Sequence, residues 1–354
     1  MENLLLTVFI SSFLMIWVIV KLSKSKKWFI NESDLEGVQK FHSIPTPRIA
    51  GIPVFASFFI GLWFVDSLEP SYIVLLLASL PVFFGGLIED ITAKISPTKR
   101  MAATLVSIAA LFFMGDIAIN YLGFDWIDYY LSNNLILSLL FTMLVVGGAV
   151  NSINIIDGYN GLMPGYSILV LLAIAYVAST LGDDLVFQLS LILVASLAGF
   201  TTFNFPFGKI FMGDGGAYFV GFMMVSIGLM LGIRNEEVSH WFVLLLFIYP
   251  LYETVFSIYR KKIVRGTSPS QPDGYHLHML IYKRLVRCKR FKHNKTICNS
   301  MTSPFLWALS LVGIIPAVIW YDNQTVLIIW AFLFMTIYTI IYRRIVHFKF
   351  KFKR

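Results

Sequence analysis

Five polar segments interrupt an otherwise apolar sequence, and each carries residue types suited to holding phosphate or a cation. Gly85-Gly86-Leu87-Ile88-Glu89-Asp90 sets two adjacent carboxylates just ahead of Lys94, Lys99 and Arg100. Carboxylate oxygens suit a divalent cation and basic groups suit phosphate oxygens, so one such cluster can hold both; the alternative is a helix end with solvated charges. In the run Asn151 to Leu162, Asn151, Asn154 and Asp157 are three apart and would share one face of a helix until Gly158 and Gly161 break it. Asparagine and glycine also mark ordinary loops, yet amides and a carboxylate at the edge of an apolar run are costly to desolvate without a ligand or partners.

Phe211-Met212-Gly213-Asp214-Gly215-Gly216 places a lone carboxylate among glycines just before an apolar run. Glycine lets a ligand approach the backbone, and the orphan N–H groups of a helix start attract phosphate; a flexible turn with a solvated aspartate is the competing account. His276 and His278 are two apart and would diverge on a helix, which favours an extended or looped presentation of both rings. Residues 260–301 hold eleven basic side chains against the single acid Asp273, so this loop is also suited to anionic lipid headgroups. Lys40 to Arg48 contains Pro45 and Pro47, which oppose a helix, and offers Lys40, His42 and Arg48 to a phosphate or simply to membrane orientation.

The elements that must position these groups are membrane helices. The chain is 57% hydrophobic and 14% charged, with a mean hydropathy of +0.75, more apolar than a soluble chain of 354 residues can hide. Apolar runs predict an all-α, polytopic transmembrane helix bundle, a single domain over 1–354, with about eleven spans near 3–20, 50–65, 71–88, 101–118, 134–151, 163–181, 185–203, 216–232, 240–260, 303–320 and 324–342. Leu4 to Val20 is followed, not preceded, by lysines and reads as a retained anchor. Alternate loops then collect 27 of the 28 basic residues on one side, Arg234 being the exception. The excess of positive charge predicts that side to be cytoplasmic, with the N-terminus outside and the C-terminus inside. All five polar segments fall on it. Cys288 and Cys298 share one basic loop and read as free thiols. Glu253, inside the ninth apolar run, reads as a structural acid paired with a nearby base such as Arg260.

With the five segments in this order, the chain resembles the polyprenyl-phosphate N-acetylhexosamine-1-phosphate transferases, the superfamily of WecA, TagO and MraY, and its WecA-like branch in particular. The family's Pro-Thr-Pro-Arg element matches Pro45 to Arg48, and its twin-aspartate motif falls on Glu89 and Asp90. Its Asn-x-x-Asn-x-x-Asp-Gly-x-x-Gly-Leu element is met from Asn151 to Leu162, and its Phe-Met-Gly-Asp element from Phe211 to Asp214. Two positions depart from the pattern: Glu89 replaces the first aspartate, and Met279 replaces the last histidine of the His-x-His-His element.

The resemblance implies transfer of an N-acetylated sugar-1-phosphate from a UDP-sugar to undecaprenyl or another polyprenyl phosphate, releasing UMP and starting a lipid-linked surface glycan such as O-antigen. It implies Asp90, Glu89, Asp157, His276 and His278 as catalytic residues, and Asn160, Asn151, Lys99, Arg100, Lys40 and Arg48 as substrate contacts. Asn160 is the implied uracil contact. Mg²⁺, with Mn²⁺ as an alternative, is implied at Asp214 with Asn154. Direct attack by the lipid phosphate is favoured over an aspartyl-phosphate intermediate, because a phosphate oxygen is already an adequate nucleophile. The expected partners are the two substrates and membrane lipids, with no nucleic acid and with homodimerisation left open. The expected location is the bacterial cytoplasmic membrane, with the active site on its cytoplasmic face. The rival is a transporter or flippase of lipid-linked glycans, which would place its polar residues nearer the bilayer midplane.

Overall fold

A computed structural model describes residues 1–26, 46–65, 69–268, 274–286 and 294–347. Among the described residues the structure is helical, without strands: α1 (Glu2–Lys26), α2 (Gly51–Trp63), α3 (Pro70–Thr92), α4 (Pro97–Gly115), α5 (Asp125–Asn133), α6 (Leu135–Ile156), α7 (Leu162–Leu181) and α8 (Asp184–Asn204) come first. There follow α9 (Gly213–Arg234), α10 (His240–Leu246), α11 (Ile248–Tyr259) continuing as a π turn (Arg260–Val264), α12 (Leu277–Arg284), α13 (Lys295–Ser300), α14 (Ser303–Ile319) and α15 (Gln324–Val346). Nine helices among the described residues are long and apolar enough to cross a bilayer, counting Lys295–Ile319 as one. The chain is an integral membrane protein.

Two of the eleven expected spans differ from the sequence reading. The run 240–260 is broken into α10 and α11, bent by 69°. Pro250 has no N–H to give to the carbonyl of Leu246, one helical turn back. The hydroxyl of Tyr166 on α7 donates to that carbonyl instead, at 2.8 Å, which stabilises the break. The second is α2, whose 13 residues reach only about 20 Å at a rise of 1.5 Å per residue, short of a bilayer core of about 30 Å. Its start is fixed from outside, since the N–H groups of Ala50 and Gly51 donate to the carbonyls of Phe211 and Met212 at 3.1 and 2.9 Å.

Helix α9 is the axis of the bundle and is buried along nearly all of its length. A helix apolar on every face belongs in such a place. Its first turn lies in backbone contact with two neighbours: a Cβ on Gly215 would sit 2.7 Å from the amide nitrogen of Leu87 in α3, and one on Gly216 would sit 2.6 Å from Cα of Gly51 in α2. Small residues are what permit such close helix packing in a membrane. At the far end of α9, Arg234 donates through Nε to both oxygens of Asp183, at 3.2 and 3.0 Å, and lies 3.6 Å from Glu69. The one basic residue outside the charge pattern is thus neutralised by acids beside it.

The expectation of two free thiols is not met at Cys298, which is buried and disulfide-bonded. Cys288, like Lys40 and His42, lies outside the described residues.

Candidate active site

The polar segments meet at one end of the bundle. Arg48 is brought there by backbone pairing, as the N–H of Phe211 donates to the carbonyl of Pro47 at 2.9 Å. Gly213 then turns the chain into α9 with a φ of +80°, where a Cβ would collide with the carbonyl of Arg48 and the carboxylate of Asp90. A residue other than glycine would be strained there on both counts.

Asp90, near the end of α3, caps α9. One carboxylate oxygen accepts from the N–H of Asp214 at 2.7 Å and the other from that of Gly215 at 2.8 Å. These amides belong to the first turn of α9 and have no partner within their own helix. Glu89, one residue earlier, turns away and accepts from the N–H of Ile95 at 2.6 Å, closing the loop between α3 and α4. The twin acids therefore diverge, with Asp90 organising the site and Glu89 its flanking loop.

Asp214 lies at the centre. Its Oδ1 accepts from the Asn154 amide at 3.0 Å, and its Oδ2 forms an ion pair with Arg100. Arg100 occupies the first turn of α4, which begins with Ser96 capping the N–H of Lys99 and Pro97 at the first helical position. Its guanidinium lies over the Tyr218 ring at 6.0 Å, and the Tyr218 hydroxyl donates to Asn151 at 3.3 Å. Asn151 and Asn154 thus share the α6 face turned to α9, as their spacing predicts. Lys99, the residue before Arg100, is exposed.

Asp157 follows at the C-cap of α6. Burial raises its carboxyl to about 7, with the charge of Arg48 opposing the rise. The next residues lead to the histidines. The Tyr159 and His278 rings pack edge-on at 5.4 Å, and a Cβ on Gly158 would lie 4.0 Å from Nε2 of His278. His276 and His278, both buried, stack with their planes 1° apart and their centroids 5.3 Å apart. The expected extended presentation holds for His276, which precedes the first turn of α12 in an extended conformation, and not for His278, which lies within that turn.

Two residues have partners that are distant in sequence. Asn160 is 1% exposed, its amide donates to Ser300 at 3.1 Å, and its backbone N–H donates to Asn299 at 2.8 Å. With Ser303 donating to its carbonyl at 2.6 Å, Asn160 ties the loop to α13 and α14. Glu253 is fully buried and bonds to His276, Leu277 and Tyr338. Arg260, its expected partner, donates instead to the Tyr275 carbonyl and to the hydroxyls of Tyr342 and Ser257. The sequence signal for Glu253 was an acid inside an apolar run, which demands a partner; its partner's identity depended on the path of the 22 intervening residues.

Residues 72–232, which include most of this corner, match the family model described as glycosyl transferase family 4. Over that stretch the chain is similar to that family. Among its relatives is a Bacillus subtilis (strain 168) protein named "Probable undecaprenyl-phosphate N-acetylglucosaminyl 1-phosphate transferase", 27% identical over 335 residues, 92% of this chain and 89% of that one. Another is the undecaprenyl-phosphate alpha-N-acetylglucosaminyl 1-phosphate transferase of Escherichia coli (strain K12), 26% identical over 296 residues, 79% of this chain and 76% of that one. These family relatives give the transporter reading no support.

Proposed function

We propose that this protein transfers a sugar-1-phosphate from a UDP-sugar to a polyprenyl phosphate, with UDP-N-acetylglucosamine and undecaprenyl phosphate the substrates its relatives' names favour. The observation that carries the reading is the convergence of Arg48, Asp90, Arg100, Asn154, Asp157 and Asp214 at one end of the bundle. An oxygen of the lipid phosphate attacks the phosphorus that bears the sugar, the bond from that phosphorus to the bridging oxygen breaks, and UMP departs. Both reactants are anions, so their approach is repulsive until cationic groups offset the charge. Arg48, Lys99 and Arg100 are the cations that would do so.

Asp214 and the amide oxygen of Asn154 are the groups that would hold Mg²⁺. Such an ion needs only one or two protein carboxylates when waters and substrate phosphates complete its shell. When bound, the cation would offset charge on the diphosphate and on the departing UMP. Asp90 fixes the first turn of α9, and with it Asp214, so its contribution is to positioning. His276 and His278 would contact a phosphate of the donor substrate or of the lipid. The charge pattern favours a cytoplasmic site, and the kind of lipid favours a bacterial inner membrane. The test is to supply purified protein with undecaprenyl phosphate and a panel of UDP-sugars and to follow nucleotide release. Turnover confined to donors with an acetamido group is expected, and no turnover with any donor would end the proposal.

A further inference from the structure

Glu253 lies inside the membrane bundle, in α11, away from the Asp214 corner and with no role in the chemistry proposed above. Its carboxylate is 0% exposed, and three donors close on it: Nδ1 of His276 at 2.9 Å, the N–H of Leu277 at 3.1 and 3.2 Å, and the hydroxyl of Tyr338 at 2.7 Å. A buried carboxylate without partners would be strongly destabilising, so some satisfaction is required for folding alone. The identity of the partners goes further than that requirement. An ionised carboxylate only accepts, a backbone N–H only donates, and the Tyr338 hydroxyl must donate to reach it. Nδ1 of His276 must therefore carry its proton.

From this we infer that Glu253 is a positioning residue for His276, fixing its ring so that Nδ1–H points to the carboxylate and Nε2 is left as the acceptor that takes a hydrogen bond from a protonated substrate phosphate oxygen. The inference rests on the proposed reaction for the word substrate, but the tautomer does not depend on it. The same carboxylate caps α12 through Leu277, so ring orientation and helix start are set by one group. His278, beside the Gly158 loop, stacks on the ring so fixed. The pair thus acts as a unit: Glu253 holds His276, and His276 holds the plane of His278.

Magic-angle-spinning spectra of the full-length protein labelled with ¹⁵N-histidine test the inference, with His276 identified by its loss in His276→Gln. Wild type should show His276 with its proton on Nδ1, and wild type with the proton on Nε2 alone would overturn the inference without any variant. Glu253→Gln keeps the volume and an oxygen for Leu277 and Tyr338 but turns an NH₂ toward Nδ1, so His276 should change to the Nε2–H form. Its kcat for UMP release should fall by about tenfold or more with donor KM nearly unchanged, and Glu253→Asp should restore part of both signals. Retention of the Nδ1–H form or of wild-type kcat in Glu253→Gln would show that the carboxylate only anchors α12, and overturn the inference. Absence of UMP release by wild type with every donor would instead remove the proposed reaction, leaving the spectra to judge Glu253 alone.

Discussion

The carboxylate of Asp90 in α3 holds the amides of both Asp214 and Gly215 at the start of α9, at 2.7 and 2.8 Å. The residue that centres the site is therefore placed by the residue beside it in space and 124 positions away in sequence. Asp90→Ala should leave two buried amides unpaired and lower stability by about 1–3 kcal/mol. Asp90→Asn, which keeps one good acceptor, should lose less. Thermal unfolding in detergent measures both, and full loss of turnover with unchanged unfolding in Asp90→Ala would assign Asp90 to the chemistry itself.

Asp157 gives a pH-dependent prediction of definite sign. Its folded-state carboxyl titrates near 7, above the ordinary value of 3.8, because burial disfavours the charge. The native state then holds the proton more tightly than the unfolded chain, so this contribution to stability is present in acid and is lost as pH rises toward and through about 7. Asp157→Asn removes the ionisation. The variant should unfold at a higher temperature than wild type at about pH 8 and show a smaller advantage at about pH 5, in the presence of a chelator. An advantage that grows toward acid would contradict the stated environment.

Asn160 should behave as an anchor. Asn160→Ala removes the bond to Ser300 in a buried network and should cost about 1–2 kcal/mol of stability. Donor KM of the folded variant should stay near that of wild type. A KM raised about tenfold with unchanged unfolding would restore the uracil contact that the family resemblance implies.

Much of this was legible in the sequence because membranes impose strong rules. Apolar length found the spans, and the three-residue spacing of Asn151 and Asn154 found the α6 face that meets α9. What was not legible depended on partners distant in sequence. Pro250 was visible as a hazard to its helix, but the Tyr166 hydroxyl that accommodates the break was not. Asn160 was a ligand through the family resemblance alone; the placement of Ser300 and Asn299 shows it buried. Glu89 and Asp90 read as a pair, yet successive helix residues point about 100° apart, and each found a different amide to cap.

The orientation inferred from charge is open to direct labelling. In a cysteine-free background, single cysteines at Asn133, Asp184 or Asn323, all exposed at one end, should react with an impermeant thiol reagent added to intact cells. One at Lys262, exposed at the other end, should react only after lysis. The reverse pattern would place the Asp214 corner outside and contradict the proposed cytoplasmic site.

The central claim is that the bond broken lies between the two phosphorus centres of the donor, so that the sugar leaves with a phosphate attached. Which nucleotide is released decides it. With donor carrying label on the sugar-bearing phosphorus, undecaprenyl phosphate and Mg²⁺, purified protein should release UMP, move the label into lipid in equal amount, and lose kcat by about a hundredfold or more in Asp214→Asn. Release of UDP with the label still on the nucleotide would mean transfer of the sugar alone and would contradict the account.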